Sequence, residues 1–179
     1  MCTVDVRKMQ ISNKASFKYQ VNELAFLNDY LLQGTGHENK LEVLNFSTME
    51  VVNSLSGHTG SVLSVSVAPD GKLIATGGAD AITCLWDTEE MTCLRSYYHM
   101  EHPIRALSFS HDSKYLSMTG EDPCVYVEDI ESGLSLGCID LHSSPEESSW
   151  NPCHHILAYP AELNDQSIIE LRTPPDVKM

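Results

Sequence analysis

Four side chains within residues 57–86 have the types and spacing to do chemistry: His58, Thr76, Asp80 and Trp86. A histidine that faces an aspartate can pass a proton, so His58 and Asp80 could work as an acid–base pair. The same residues also suit a structural staple. In that arrangement Asp80, in a tight turn, accepts a hydrogen bond from His58; the other imidazole nitrogen reaches Thr76, and the Thr76 hydroxyl takes the indole N–H of Trp86. A buried chain of this kind holds only when every member is satisfied, because an unpaired polar group in a core costs about 1–3 kcal/mol. The staple is the expected role. Cys153-His154-His155 offers metal-ligand types, but neighbours on a strand point to opposite faces and no second pair stands at zinc-finger spacing. The sequence therefore predicts no metal and no cofactor. It has no glycine-rich phosphate loop, nucleophile elbow or His-Glu-x-x-His, and it reads as non-catalytic.

The elements that must position these residues show in a repeat. Val21–Phe26, Val62–Val67 and Ile104–Phe109 alternate apolar with polar at strand period, with first residues 41 and then 42 apart. Trp150 follows Phe109 by another 41, and Asp5, Phe46, Asp87 and Asp129 recur at 41, 41 and 42. Gly57-His58 early and Trp86-Asp87 late in a unit of this length describe a four-stranded propeller blade. The expected fold is all-β, a partial WD-type β-propeller of about four blades out of seven. Its segments are a partial blade at 1–20, blades at 21–56, 57–99 and 100–141, and an incomplete last blade at 142–179, all in one propeller domain. The 57–99 unit alone keeps the full staple. Asn39 and Asn45 fall at the Asp80 and Trp86 places of the preceding unit, and Met100, Asp122 and Glu128 at the His58, Asp80 and Trp86 places of the following one. The chain reads as half of a larger propeller, beginning within a blade at Thr3-Val4-Asp5. An open arc would leave apolar faces and strand edges uncovered.

Composition narrows the partners. The formal net charge is −14, no lysine or arginine lies between Lys114 and Arg172, and residues 121–179 hold twelve acids against two bases. Gripping a phosphate backbone needs a basic stripe that displaces counterions, so direct nucleic-acid binding is not expected and protein partners are. No run of 18 apolar residues and no apolar signal core appear, which points away from a membrane or secretion. Six cysteines without a Cys-x-x-Cys pair suggest a reduced compartment and free, buried thiols.

Three segments resemble one WD family: Phe17–Glu23, Ala75–Ala81 with Leu85-Trp86-Asp87, and Arg105–Asp112. They are similar to the THO complex subunit 3 (Tex1) family, the likeness running from about Thr3 to Pro175 and covering the C-terminal half of that family's propeller. Ser149-Trp150-Asn151-Pro152 and Ile168-Ile169-Glu170-Leu171 fit its closing segment. The resemblance implies a nuclear scaffold subunit of the transcription–export assembly, acting in mRNA processing and export through other THO subunits, without enzymatic activity or a small-molecule substrate. The alternative is a generic WD adaptor, such as a ubiquitin-ligase substrate receptor or a signalling scaffold. Candidate partner contacts lie on the connection after the 57–99 unit, at Tyr97, Tyr98, His99, His102 and Arg105, since tyrosine and arginine are enriched among interface anchors. The competing arrangement places Tyr97 and Tyr98 in the outermost strand, one facing the next blade and one facing water.

Overall fold

The computed structural model describes residues 2–14, 16–36, 38–163 and 166–172. Among them every regular element is a strand, and neighbouring strands pair antiparallel. A two-stranded ribbon, β1 (Cys2–Asp5) and β2 (Gln10–Lys14), precedes three four-stranded meanders. The first contains β3 (Val21–Leu27), β4 (Tyr30–Thr35), β5 (Lys40–Asn45) and β6 (Val51–Ser56). The second contains β7 (Val62–Val67), β8 (Leu73–Gly78), β9 (Thr83–Asp87) and β10 (Cys93–Tyr97). The third contains β11 (Ile104–Phe109), β12 (Tyr115–Gly120), β13 (Cys124–Asp129) and β14 (Ser135–Asp140). A three-stranded sheet follows: β15 (Ser149–Trp150), β16 (Leu157–Leu163) and β17 (Gln166–Arg172).

The first strands of successive sheets lie against one another, β3 on β7, β7 on β11 and β11 on β15, as the inner strands of a propeller do. Each carries a register shift at its start in the 21–109 region, between Val21 and Glu23, Val62 and Ser64, and Ile104 and Ala106. A bulge at one repeated place bends the inner strand and increases its twist.

The hydrophobic core is shared between sheets. Leu32, Leu41, Val43 and Leu55 of the first meander pack with Ile74, Cys84 and Trp86 of the second. Ala75, Leu85 and Tyr97 of the second pack with Ile104, Leu107, Leu116 and Met118 of the third. Val125 and Val127 of the third pack with Trp150, Leu157 and Tyr159. A sheet face buried only against its neighbour explains why each meander needs the next one for stability. On the opposite face of the first meander, Leu24 and Phe26 stay exposed.

The β1–β2 turn and the third-to-fourth strand turns of the meanders share one chemistry. Asp5, Asn45, Asp87 and Asp129 each accept backbone N–H bonds from the following turn: Arg7 and Lys8, Ser47 and Thr48, Glu89 and Glu90, and Ser132. Four residues after each, Met9, Met49, Met91 and Gly133 take left-handed φ values. This corrects the register expected for the 21–56 unit. Asn45 and not Phe46 is the counterpart of Asp87, and Leu44, paired with Leu31 as Trp86 is with Ile74, stands in the Trp86 place.

Candidate functional site

The structure brings His58, Thr76, Asp80 and Trp86 together. His58 Nδ1 lies 3.1 Å from Asp80 Oδ1, and its Nε2 lies 2.8 Å from Thr76 Oγ1. The Trp86 indole N–H donates to the same Thr76 oxygen at 2.8 Å. Asp80 gathers more than its histidine: the backbone N–H groups of Thr59, Gly60 and Ile82 donate to it at 2.7, 3.3 and 3.2 Å. Burial alone would push its carboxyl up, but the Thr59 N–H and the His58 contact outweigh that and hold it below the usual aspartate value. Two glycines make the room. A Cβ on Gly78 would meet Asp80 Oδ1 at 2.2 Å and His58 Nδ1 at 2.6 Å, and one on Gly57 would meet the Trp86 ring at 2.8 Å. The His58 and Asp80 side chains are almost wholly enclosed, which leaves a substrate no access to the pair.

The other units reuse the frame differently. Asn39 reaches out of its own unit: its Nδ2 donates to Thr59 O of the next one at 2.9 Å. Gln33 occupies the register of Thr76 and donates to Glu42. In the third meander Met100 and Met118 are buried where His58 and Thr76 stand, while Asp122 still accepts the N–H groups of Glu101 and His102 at 2.8 and 3.3 Å. Glu128, in the Trp86 place, is 0% exposed. Its carboxyl faces β10 and its end, where His99 Nε2 stands 3.5 Å away and Arg95 lies near. Burial pushes the Glu128 carboxyl up, and Ser135, His99 and Arg95 offset that only in part.

The five candidate contact residues do not form one surface. Tyr97 is 4% exposed and lies in the core shared with the third meander, so it drops out as a contact; alternation along β10 turns it inward. Tyr98, next in the chain, is 70% exposed. The His99 ring stacks on Tyr126 with centroids 5.6 Å apart. His102 Nδ1 is 2.5 Å from Asp122 Oδ1, and that bond, with the Asp122 charge, raises the imidazole pKa. Arg105 donates through Nε to Glu121 at 3.0 Å. Tyr98, His99, His102 and Arg105 are all at the surface, the last two neutralised by carboxylates of their own unit.

The thiols depart from the expectation of burial. Cys84 and Cys124 are buried, and Cys2, Cys93, Cys138 and Cys153 are exposed; all six are free. Of Cys153, His154 and His155, the first two use their backbone N–H groups on Asn151, while the His155 ring reaches Asp112.

Comparison with known proteins accords with this architecture. The WD domain, G-beta repeat family matches residues 49–87 and 91–127. THO complex subunit 3 of Arabidopsis thaliana is 30% identical over 158 residues, which cover 87% of this chain and 50% of that protein. WD repeat-containing protein AAC3 of Dictyostelium discoideum is 32% identical over 116 residues, 65% of this chain and 24% of that one. Small ribosomal subunit protein RACK1y of Oryza sativa subsp. japonica is 36% identical over 101 residues, 55% and 29% of the two chains. The chain thus spans half the length of its THO relative and less of the others. It is built of WD repeats folded as part of a β-propeller, and over most of its length it is similar to THO complex subunit 3.

Proposed function

We propose that this chain is a non-catalytic scaffold subunit of the THO type, working in the transcription–export assembly in the nucleus for mRNA processing and export. The observation that carries this reading is the likeness to THO complex subunit 3 over 87% of the chain, a wider match than those to AAC3 or RACK1y. Segments 1–20, 21–56, 57–99, 100–141 and 142–179 act in this reading as one propeller domain. His58, Thr76, Asp80 and Trp86 hold its fold, and Tyr98, His99, His102 and Arg105 offer the rim to protein partners. The acidic C-terminal third favours basic protein segments over a nucleic-acid backbone.

Affinity purification of the tagged chain from nuclear extract, read by mass spectrometry, tests the proposal. Recovery of other THO subunits, reduced by Tyr98→Ala, supports it. Recovery of a ubiquitin-ligase scaffold or of ribosomal subunits in their place would make it a WD adaptor of another kind.

A further inference from the structure

The loops between first and second strands of consecutive sheets meet side by side. His111 and Asp112 lie in the β11–β12 turn, and His155 lies at the equivalent place between β15 and β16. His155 Nε2 stands 3.0 Å from Asp112 Oδ2, and the two imidazole centroids are 4.8 Å apart. One donor atom from each of the three residues lies within 4.8 Å of the other two. The His111 Nδ1 is shut off from solvent and has no hydrogen-bond partner among the described residues, an orphan of the sort a metal would satisfy. Asp112 is held in place from behind: the Ser110 hydroxyl donates to its Oδ1 at 2.8 Å, and the Lys114 N–H at 3.4 Å. Such outer bonds fix a ligating carboxylate. The Lys114 ammonium, 3.5 Å from Oδ2, is largely exposed and free to swing into water.

We propose that His111, Asp112 and His155 bind a zinc ion that staples the third meander to the last sheet. Two imidazoles and one carboxylate are a zinc donor set, and donors about 2.0–2.1 Å from a tetrahedral ion stand about 3.3–3.5 Å apart, so side-chain shifts of an ångström or so close the site. The Asp112 and His155 side chains are partly open to solvent, which leaves a path for the ion and room for water as fourth ligand. Donors 43 residues apart in the chain would then be tied by one ion, and binding energy would add to folding energy.

The test is titration of the metal-free 179-residue chain with Zn²⁺ against a chromophoric chelator, with Co²⁺ as the spectroscopic probe. One equivalent should bind, and His111→Ala, Asp112→Asn and His155→Ala should each weaken binding about tenfold or more, while Cys153→Ser and His154→Gln leave it unchanged. The Co²⁺ spectrum should show visible ligand-field bands without a thiolate charge-transfer band, a readout on the unaltered chain that stands even if a variant fails to fold. Absence of stoichiometric binding would overturn the proposal and leave an Asp112–His155 ion pair between two loops. So would binding that needs Cys153 or His154, or a thiolate band in the wild-type spectrum.

Discussion

At the residue scale, Asp80 is the acceptor on which the 57–99 unit converges. Its replacement by alanine leaves the His58 ring and the Thr59, Gly60 and Ile82 N–H groups short of an acceptor. Asp80→Ala should cost about 1–3 kcal/mol of stability, read as a lower urea midpoint. The pH dependence has a definite sign. The folded carboxyl titrates below its ordinary value of 3.8, so its contribution is complete above that value and is lost as pH falls through the lower folded one. Asp80→Asn should flatten the acid limb of a stability–pH curve. Glu128 behaves in the opposite way. Its folded pKa lies above the ordinary 4.5, so stability is complete below 4.5 and is lost as pH rises through the folded value. Glu128→Gln should therefore stabilise the chain at pH 8 by about 1–3 kcal/mol, with the gain fading towards pH 4 in chemical-denaturation curves. If Arg95 and His99 instead compensate the charge fully, the variant will be no more stable than the parent.

At the element scale, β10 separates two tyrosines that sequence spacing places side by side. Tyr97→Ala opens a cavity between two sheets and should cost about 3–5 kcal/mol, whereas Tyr98→Ala should stay within about 0.5 kcal/mol. Thermal unfolding of the two variants distinguishes core from rim, and equal losses would place both in the core. The strands themselves were legible because alternation at period two and a 41–42-residue recurrence are local, redundant signals. The staple was legible for a related reason: four rare polar residues sit at fixed offsets inside a single unit. The turn counterpart of Asp87 was misplaced by one residue, at Phe46, because counting at fixed spacing ignores a unit that is one residue shorter there. The capping of Ser47 and Thr48 N–H groups by Asn45 is the chemistry that marks the true position. The Glu128 environment was not legible, since the two basic groups that meet it, Arg95 and His99, come from β10 and the connection after it rather than from its own sheet.

At the scale of the whole molecule, the decisive contacts join residues about one repeat apart, and no local reading reaches them. Asn22 Nδ2 donates to Val62 O across 40 residues, Asp70 N–H to Ser113 Oγ across 43, and Asp112 meets His155 across 43. Each is a seam between neighbouring sheets. Such an array is held by nearest-neighbour interfaces, so a sheet with partners on both faces should open later than one with a partner on one face. The second and third meanders have two neighbours each; the β1–β2 ribbon packs chiefly on itself, and the first meander leaves Leu24 and Phe26 in solvent. Native-state amide exchange should follow that order. The slowest amides are expected in β8 and β12, the second strands of the doubly flanked sheets, where Ile74–Gly78 and Leu116–Gly120 are buried. The fastest strand amides are expected in β1 and β2. A gradient of opening free energies from ribbon to central sheets would show that the arc comes apart interface by interface, and one shared value for all strands would show a single cooperative unit in its place.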